Sequence, residues 1–329
     1  MDVIELTKQL LNIPSPSGNE NAVGQFLWEK LGTMFDLEMQ PVGDRFNILA
    51  TNGFPKILFT THIDTVPKQL EVKEDDEYLY GRGACDTKGI IASMLCACEE
   101  ASNLGLKDFA ILFDVGEESD FCGIKKAIDS INPEFVVVGE PTDFKAVIGQ
   151  KGLIGIKIKC FGKSAPGSIP EKGVSAIDML LSMLDKIKKI SLPEEDVLGK
   201  TTLNIGQIRG GSAPNVVSDY AEAMIEIRST RPNAEILDSI FKELPKENFI
   251  VEYSFEPTSV LDMGIMKELA FDTITVSYFT EMYFWAKKAK TIVFGPGQYE
   301  FAHTDDEKIR KADLEKAKQL YLEMIKLVN

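Results

Sequence analysis

The chain has 329 residues, 44% hydrophobic and 26% charged, with a formal net charge of −15. That is a globular composition, long enough for two domains and too acidic to bind nucleic acid or anionic lipid through a basic surface. No apolar stretch approaches the ~20 residues of a membrane span, and Met1–Lys8 opens an acidic amphipathic pattern instead of a signal peptide, so a cytoplasmic protein is expected.

Helices are predicted over 3–12 and 20–36, broken by Ile13-Pro14-Ser15-Pro16-Ser17-Gly18. Four apolar runs, 57–61, 109–113, 135–138 and 291–294, read as buried parallel strands. Helical patterns over 88–104 and 123–131 suggest β-α-β units, and 312–328 carries Leu314, Ala317, Leu320, Tyr321, Met324, Ile325 and Val328 at helical spacing. The middle changes character. Strands are predicted over 153–160, 202–209, 219–228 and 249–255, with helices over 174–190 and near 233–244. The expected fold is α/β: a catalytic domain of 1–151 and 262–329 around a mostly parallel sheet flanked by helices, with an inserted α+β domain over 152–261. The five cysteines, Cys85, Cys96, Cys98, Cys122 and Cys160, are odd in number and lack C-x-x-C spacing, so they read as reduced thiols.

Only two histidines occur, and each sits in an acidic loop directly after a strand-like run. In open α/β sheets ligands bind beyond the carboxyl ends of the strands. His62 follows 57–61, Glu117-Glu118 follow 109–113, Glu140 follows 135–138 and His303 follows 291–294, so four strand ends deliver imidazole and carboxylate to one rim. That donor set suits a divalent cation. His62 and Asp64 are two residues apart and face the same side in extended backbone, so Asp64 can accept the second ring N–H. Asp86, in Gly81-Arg82-Gly83-Ala84-Cys85-Asp86, has a helix cap as its bland reading and a bridging carboxylate as its functional one. Adjacent Glu117 and Glu118 diverge, so that one can bind metal while its neighbour acts as general base; the bland reading is a solvated loop.

These pieces, His62-Ile63-Asp64-Thr65-Val66-Pro67, Gly81 to Gly89, Glu117-Glu118, Gly139-Glu140-Pro141-Thr142 and Gly295-Pro296-Gly297 with His303, resemble the M20 metallopeptidase and amidohydrolase family in order and spacing. That family includes acetylornithine deacetylase and succinyl-diaminopimelate desuccinylase. The resemblance covers essentially the whole chain. It implies a zinc-peptidase-like catalytic domain with a lid or dimerisation insert, a homodimer through that insert, and two zinc ions sharing a bridging water, with cobalt or manganese as substitutes. By position, His62 and Glu140 would hold one ion and Glu118 and His303 the other. Asp86 would bridge, Asp64 would support His62 and Glu117 would be the acid/base. The chemistry agrees, because zinc lowers the pKa of bound water to ~7.

For substrate, Thr280-Glu281-Met282-Tyr283-Phe284 resembles acetylornithine deacetylases, so Glu281 could read a substrate amine; a surface salt bridge is the alternative. The resemblance also places Asn215, Arg228 and Gly295 at the substrate, Arg228 as a carboxylate clamp whose bland reading is a surface ion pair. One departure stands out. The family often has histidine as an oxyanion donor after Gly-Lys-x-Ala, whereas here Gly162-Lys163-Ser164-Ala165 is followed by Pro166, which cannot donate. The leading expectation is a deacylase of N-acetylornithine. Succinyl-diaminopimelate, a carrier-protein-linked lysine or ornithine, and di- or tripeptides are the alternatives. A catalytically impaired metal- or amino-acid-binding protein is the competing class.

Overall fold

The computed structural model describes residues 1–329 except Thr33, Pro245 and Leu261. Thr33, within the expected helix 20–36, and Leu261, the expected end of the insert, therefore lie outside the described residues. The chain forms two compact units, the first of Met1–Ile148, Val260–Ile274 and Thr280–Asn329, the second of Gly149–Ser259 and Thr275–Phe279. The return of 275–279 to the second unit lies outside the expected insert span.

In the first unit the strands Phe109–Asp114, Ile57–His62, Phe135–Val138 and Lys290–Val293 lie side by side and run parallel. They coincide with the four apolar runs, and their residues are almost all buried. Helices on the faces of a parallel sheet bury both sides of each strand, which is why these runs show no polar alternation. The helix Gly89–Asn103 packs into this core, every residue from Gly89 to Cys98 being buried. The fit at the strand end is close: a Cβ at Gly139 would meet Met94 Cε at 2.6 Å and Ile90 Cγ2 at 2.7 Å, so only glycine seats the loop carrying Glu140. Helix Lys311–Val328 turns Leu314, Ala317, Tyr321, Met324, Ile325 and Val328 inward.

The expected helix 20–36 stops at Leu31. Beyond it an antiparallel hairpin, Asp36–Val42 and Arg45–Asn52, widens the sheet past Phe109–Asp114. Its two-residue turn is Gly43-Asp44, with Gly43 at φ 63°, a conformation glycine takes without steric cost. The outer strand is mostly exposed and contains Pro41. An edge strand tolerates the missing donor, so its sequence carries little strand signal.

The second unit holds an antiparallel sheet ordered Thr202–Gly210, Tyr220–Ser229, Gly152–Phe161 and Phe249–Phe255. Strand Tyr220–Ser229 buries every second residue, as period-two geometry requires of a sheet covered on one face. Helix Ala176–Lys188, capped by the Ser175 hydroxyl accepting from the Asp178 amide, presents Leu180, Leu184 and Ile187 to Ile154, Ile156 and Ile158. Among the described residues, no helix is long and apolar enough to cross a membrane.

Candidate metal centre

His62 is the last residue of its strand, and Glu117-Glu118, Glu140 and His303 follow the ends of three others, all within the first unit. The segment Ala84–Lys88 brings Asp86 among them. Helix Gly89–Asn103 has Lys88 at its cap position with no side-chain cap, so Asp86 caps nothing. Its two oxygens instead face the two imidazoles, Oδ1 at 3.1 Å from His62 Nε2 and Oδ2 at 3.1 Å from His303 Nε2. Glu118 Oε1 lies 2.8 Å from the same His303 nitrogen. Two ligand groups result, His62–Asp86–Glu140 and Asp86–Glu118–His303, with the donor atoms of each within 4.8 Å of one another. Asp86 belongs to both.

Asp64 acts by a different route from the one its spacing suggests. The His62 Nδ1–H is taken by the backbone carbonyl of Asp64 at 2.9 Å, while the carboxylate Oδ1 is 3.5 Å away. A neutral ring that donates from Nδ1 leaves Nε2 free to ligate. The Asp64 carboxylate accepts three successive amides, Gly116 at 3.0 Å and Glu117 and Glu118 at 3.1 Å, and the Ser17 hydroxyl at 2.6 Å. It therefore holds the loop that aims the paired glutamates.

Electrostatics gives the centre its character. Burial opposes a charge on the His62 ring, yet its bonds to Asp64 and Asp86 raise its proton affinity well above the usual imidazole value. The Asp86 and Glu118 carboxylates push His303 up to about 10. Burial, opposed by His62 and reinforced by Glu140, lifts Glu117 well above the carboxylate range, and burial with the charge of Asp86 does the same to Glu140. Glu117 is thus the half-buried acid whose charge His62 favours, whereas Glu118 reaches His303. So many acids around two imidazoles need positive charge to be stable together. Two imidazoles and three carboxylates around a common Asp fit a pair of divalent cations of the zinc type.

Among the described residues, the other candidates join neither ligand group. Glu281 is 1% exposed and packs near Asp114, whose carboxyl burial pushes up to about 7. Neither a surface salt bridge nor an open amine subsite describes it. Gly295 is buried, exchanging hydrogen bonds with Thr142, and a Cβ there would meet the Glu140 carbonyl at 2.5 Å. Its role in the structure is close packing against the Glu140 loop. Asn215 and Arg228 belong to the second unit, where Arg228 pairs with Glu226 at 2.8 Å. Cys85 is buried beside Glu307, and among the described residues it joins neither ligand group. Sequence reading passed over Ser17, Arg82, Asp114 and Glu307. The signal for Glu307 was its place four residues after His303; for Arg82, it was its flanking glycines.

Residues 58–327 match the model of peptidase family M20/M25/M40. The chain is 33% identical to a peptidase M20 domain-containing protein of Schizosaccharomyces pombe, covering 98% of this chain and 84% of that one. It is 32% identical to a probable carboxypeptidase of Aspergillus clavatus, over 98% and 88% of the two chains. A tripeptidase from Staphylococcus aureus superposes with a TM-score of 0.83 at 25% identity, over 99% of this chain and 98% of that one. The matched region contains every strand end and loop that supplies a ligand, and the protein belongs to the M20/M25/M40 peptidase family, as a hydrolase.

Proposed function

We propose that this hydrolase uses two zinc ions to cleave the amide bond of a small peptide. The single observation that carries the reading is Asp86, whose two oxygens face an imidazole each. His62, Asp86 and Glu140 would hold one ion and Asp86, Glu118 and His303 the other. When bound, the ions supply Lewis-acid polarisation of the scissile carbonyl and acidify the attacking water. Glu117, half-buried and of raised proton affinity, takes a proton from that water and returns it to the departing nitrogen. Asp64 keeps the Glu117 backbone fixed while this proton moves.

The names of the relatives, a probable carboxypeptidase and a tripeptidase, support a peptide over an acyl amino acid. N-acetylornithine is the second reading, favoured by the Thr280-Glu281-Met282 stretch. Burial of Glu281 leaves that stretch without an accessible carboxylate to read an amine. In the second unit the exposed Asn215 sits beside Pro166, its carbonyl accepting from the Gly167 amide at 2.7 Å.

The test is zinc analysis of the purified protein, followed by a panel of di- and tripeptides, N-acetylornithine and N-succinyl-diaminopimelate. Peptides should turn over fastest; a faster acyl amino acid overturns the peptide assignment. Glu117→Gln should keep both ions and lose roughly 10²–10⁴ in turnover. Unchanged turnover removes Glu117 from the proton path.

A further inference from the structure

Glu307 is as buried as His62, at 1% exposure, yet among the described residues it belongs to neither ligand group. It lies four residues after His303 and directly before the strand Lys308–Arg310, which pairs with Tyr78–Tyr80. Its Oε2 accepts from Arg82 Nη1 at 2.7 Å, an ion pair whose partner is 3% exposed. Its Oε1 accepts from the backbone amides of Cys85 at 3.3 Å and Asp86 at 3.2 Å. Its own carbonyl accepts from the Gly81 amide at 3.1 Å. One side chain therefore clamps both ends of the turn that presents Asp86, and does so from the segment that carries His303.

We propose that Glu307 is a positioning residue that locks the Asp86 turn to the His303 segment, and that the cation held by Asp86, Glu118 and His303 depends on this lock. The inference rests on the two-cation reading above. Two contributors to that group, Asp86 and His303, come from segments far apart in the chain, and Glu307 bonds one segment to the other. The His62–Asp86–Glu140 group draws its other ligands from strand ends buried in the sheet, so it depends less on Glu307. Loss of an outer support of a metal ligand typically weakens metal binding 10–100-fold.

Removing either partner alone would leave the other as a lone buried charge and destabilise the fold for a separate reason. The experiment therefore compares Arg82→Met/Glu307→Leu with the wild type by zinc titration of the metal-free full chain against a competing chelator. The wild type should bind two ions. The double variant should keep one within about threefold of its wild-type affinity and bind the second 10–100-fold more weakly. Two ions within threefold of the wild-type affinities in the double variant overturn the proposal. A wild type that binds no pair of ions removes the two-cation reading and the proposal together. Should the double variant fail to fold, hydrogen exchange of the metal-free wild type decides: the Cys85 and Asp86 amides should be protected like those of the core strands, and exchange at the rate of an exposed loop overturns the proposal.

Discussion

The two halves of the candidate metal centre are built differently. His62 has a side-chain exposure of 2% and ends a buried central strand, and its partner Glu140 is 7% exposed. His303 has a side-chain exposure of 44%, sits in a loop at φ 64°, and reaches Asp86 through a segment tied down by Glu307. The inner half is made by the sheet, the outer half by loops. Preorganisation by a core costs no ordering when a cation arrives, whereas loops must be held by specific bonds. The outer ion should therefore be the first that a chelator removes.

Asp86 is the one residue common to both halves, so Asp86→Ala is the largest perturbation. Both ions should weaken by more than about 100-fold, beyond the range of an outer support residue. Retention of either ion at wild-type affinity, by the same titration, would break the account of a shared carboxylate.

A smaller effect sharpens the contrast through pH. The carboxylates of Asp86 and Glu118 push His303 up to about 10, so in the metal-free protein its ring is charged at pH 7. A ligating imidazole is neutral, so the proton competes with the outer cation. Apparent affinity should rise by about tenfold per pH unit for one displaced proton, levelling as the pH passes about 10. By the same sign, the charged ring stabilises the metal-free fold fully below its ordinary value of 6.5, and that contribution fades as pH rises through about 10. Calorimetry in two buffers of different ionisation enthalpy counts the released protons, and a count of zero would show that the ring was already neutral.

The smallest perturbation tests the loop that carries both glutamates. Ser17→Ala removes the 2.6 Å bond to Asp64 and leaves the three amides in place. A bond to a charged acceptor is worth about 1.5 kcal/mol; urea unfolding of the metal-free protein should show a loss of that size, and in the zinc titration the variant should still bind both ions. Loss of an ion in this variant would mean that Asp64 is held mainly by Ser17.

The sheet and its ligand-bearing ends were legible because burial on both faces writes itself into the chain as uninterrupted apolar runs. The hairpin Asp36–Asn52 was not, since an exposed edge strand containing Pro41 carries neither alternation nor an apolar run. Histidine scarcity pointed to His62 and His303. Periodicity cannot report which oxygen accepts which amide, so the triple acceptance by Asp64 and the clamp of Glu307 were invisible until the backbone was placed. Burial of Glu281 was hidden for a related reason: nothing local in Thr280-Glu281-Met282 reveals that Asp114 stands opposite.

The Lys290–Val293 strand lies between Phe135–Val138 and Ala146–Gln150, yet the ribosome makes it only after the whole of the second unit. Until then the Phe135–Val138 strand has an open edge, the kind of surface on which nascent chains stick to one another. An unfinished polypeptide at that stage owns His62, Asp86, Glu118 and Glu140 but lacks His303 and Glu307, so it can cradle one ion and not the pair. Synthesis thus completes the Asp86–Glu118–His303 group only after the whole of the second unit has been made.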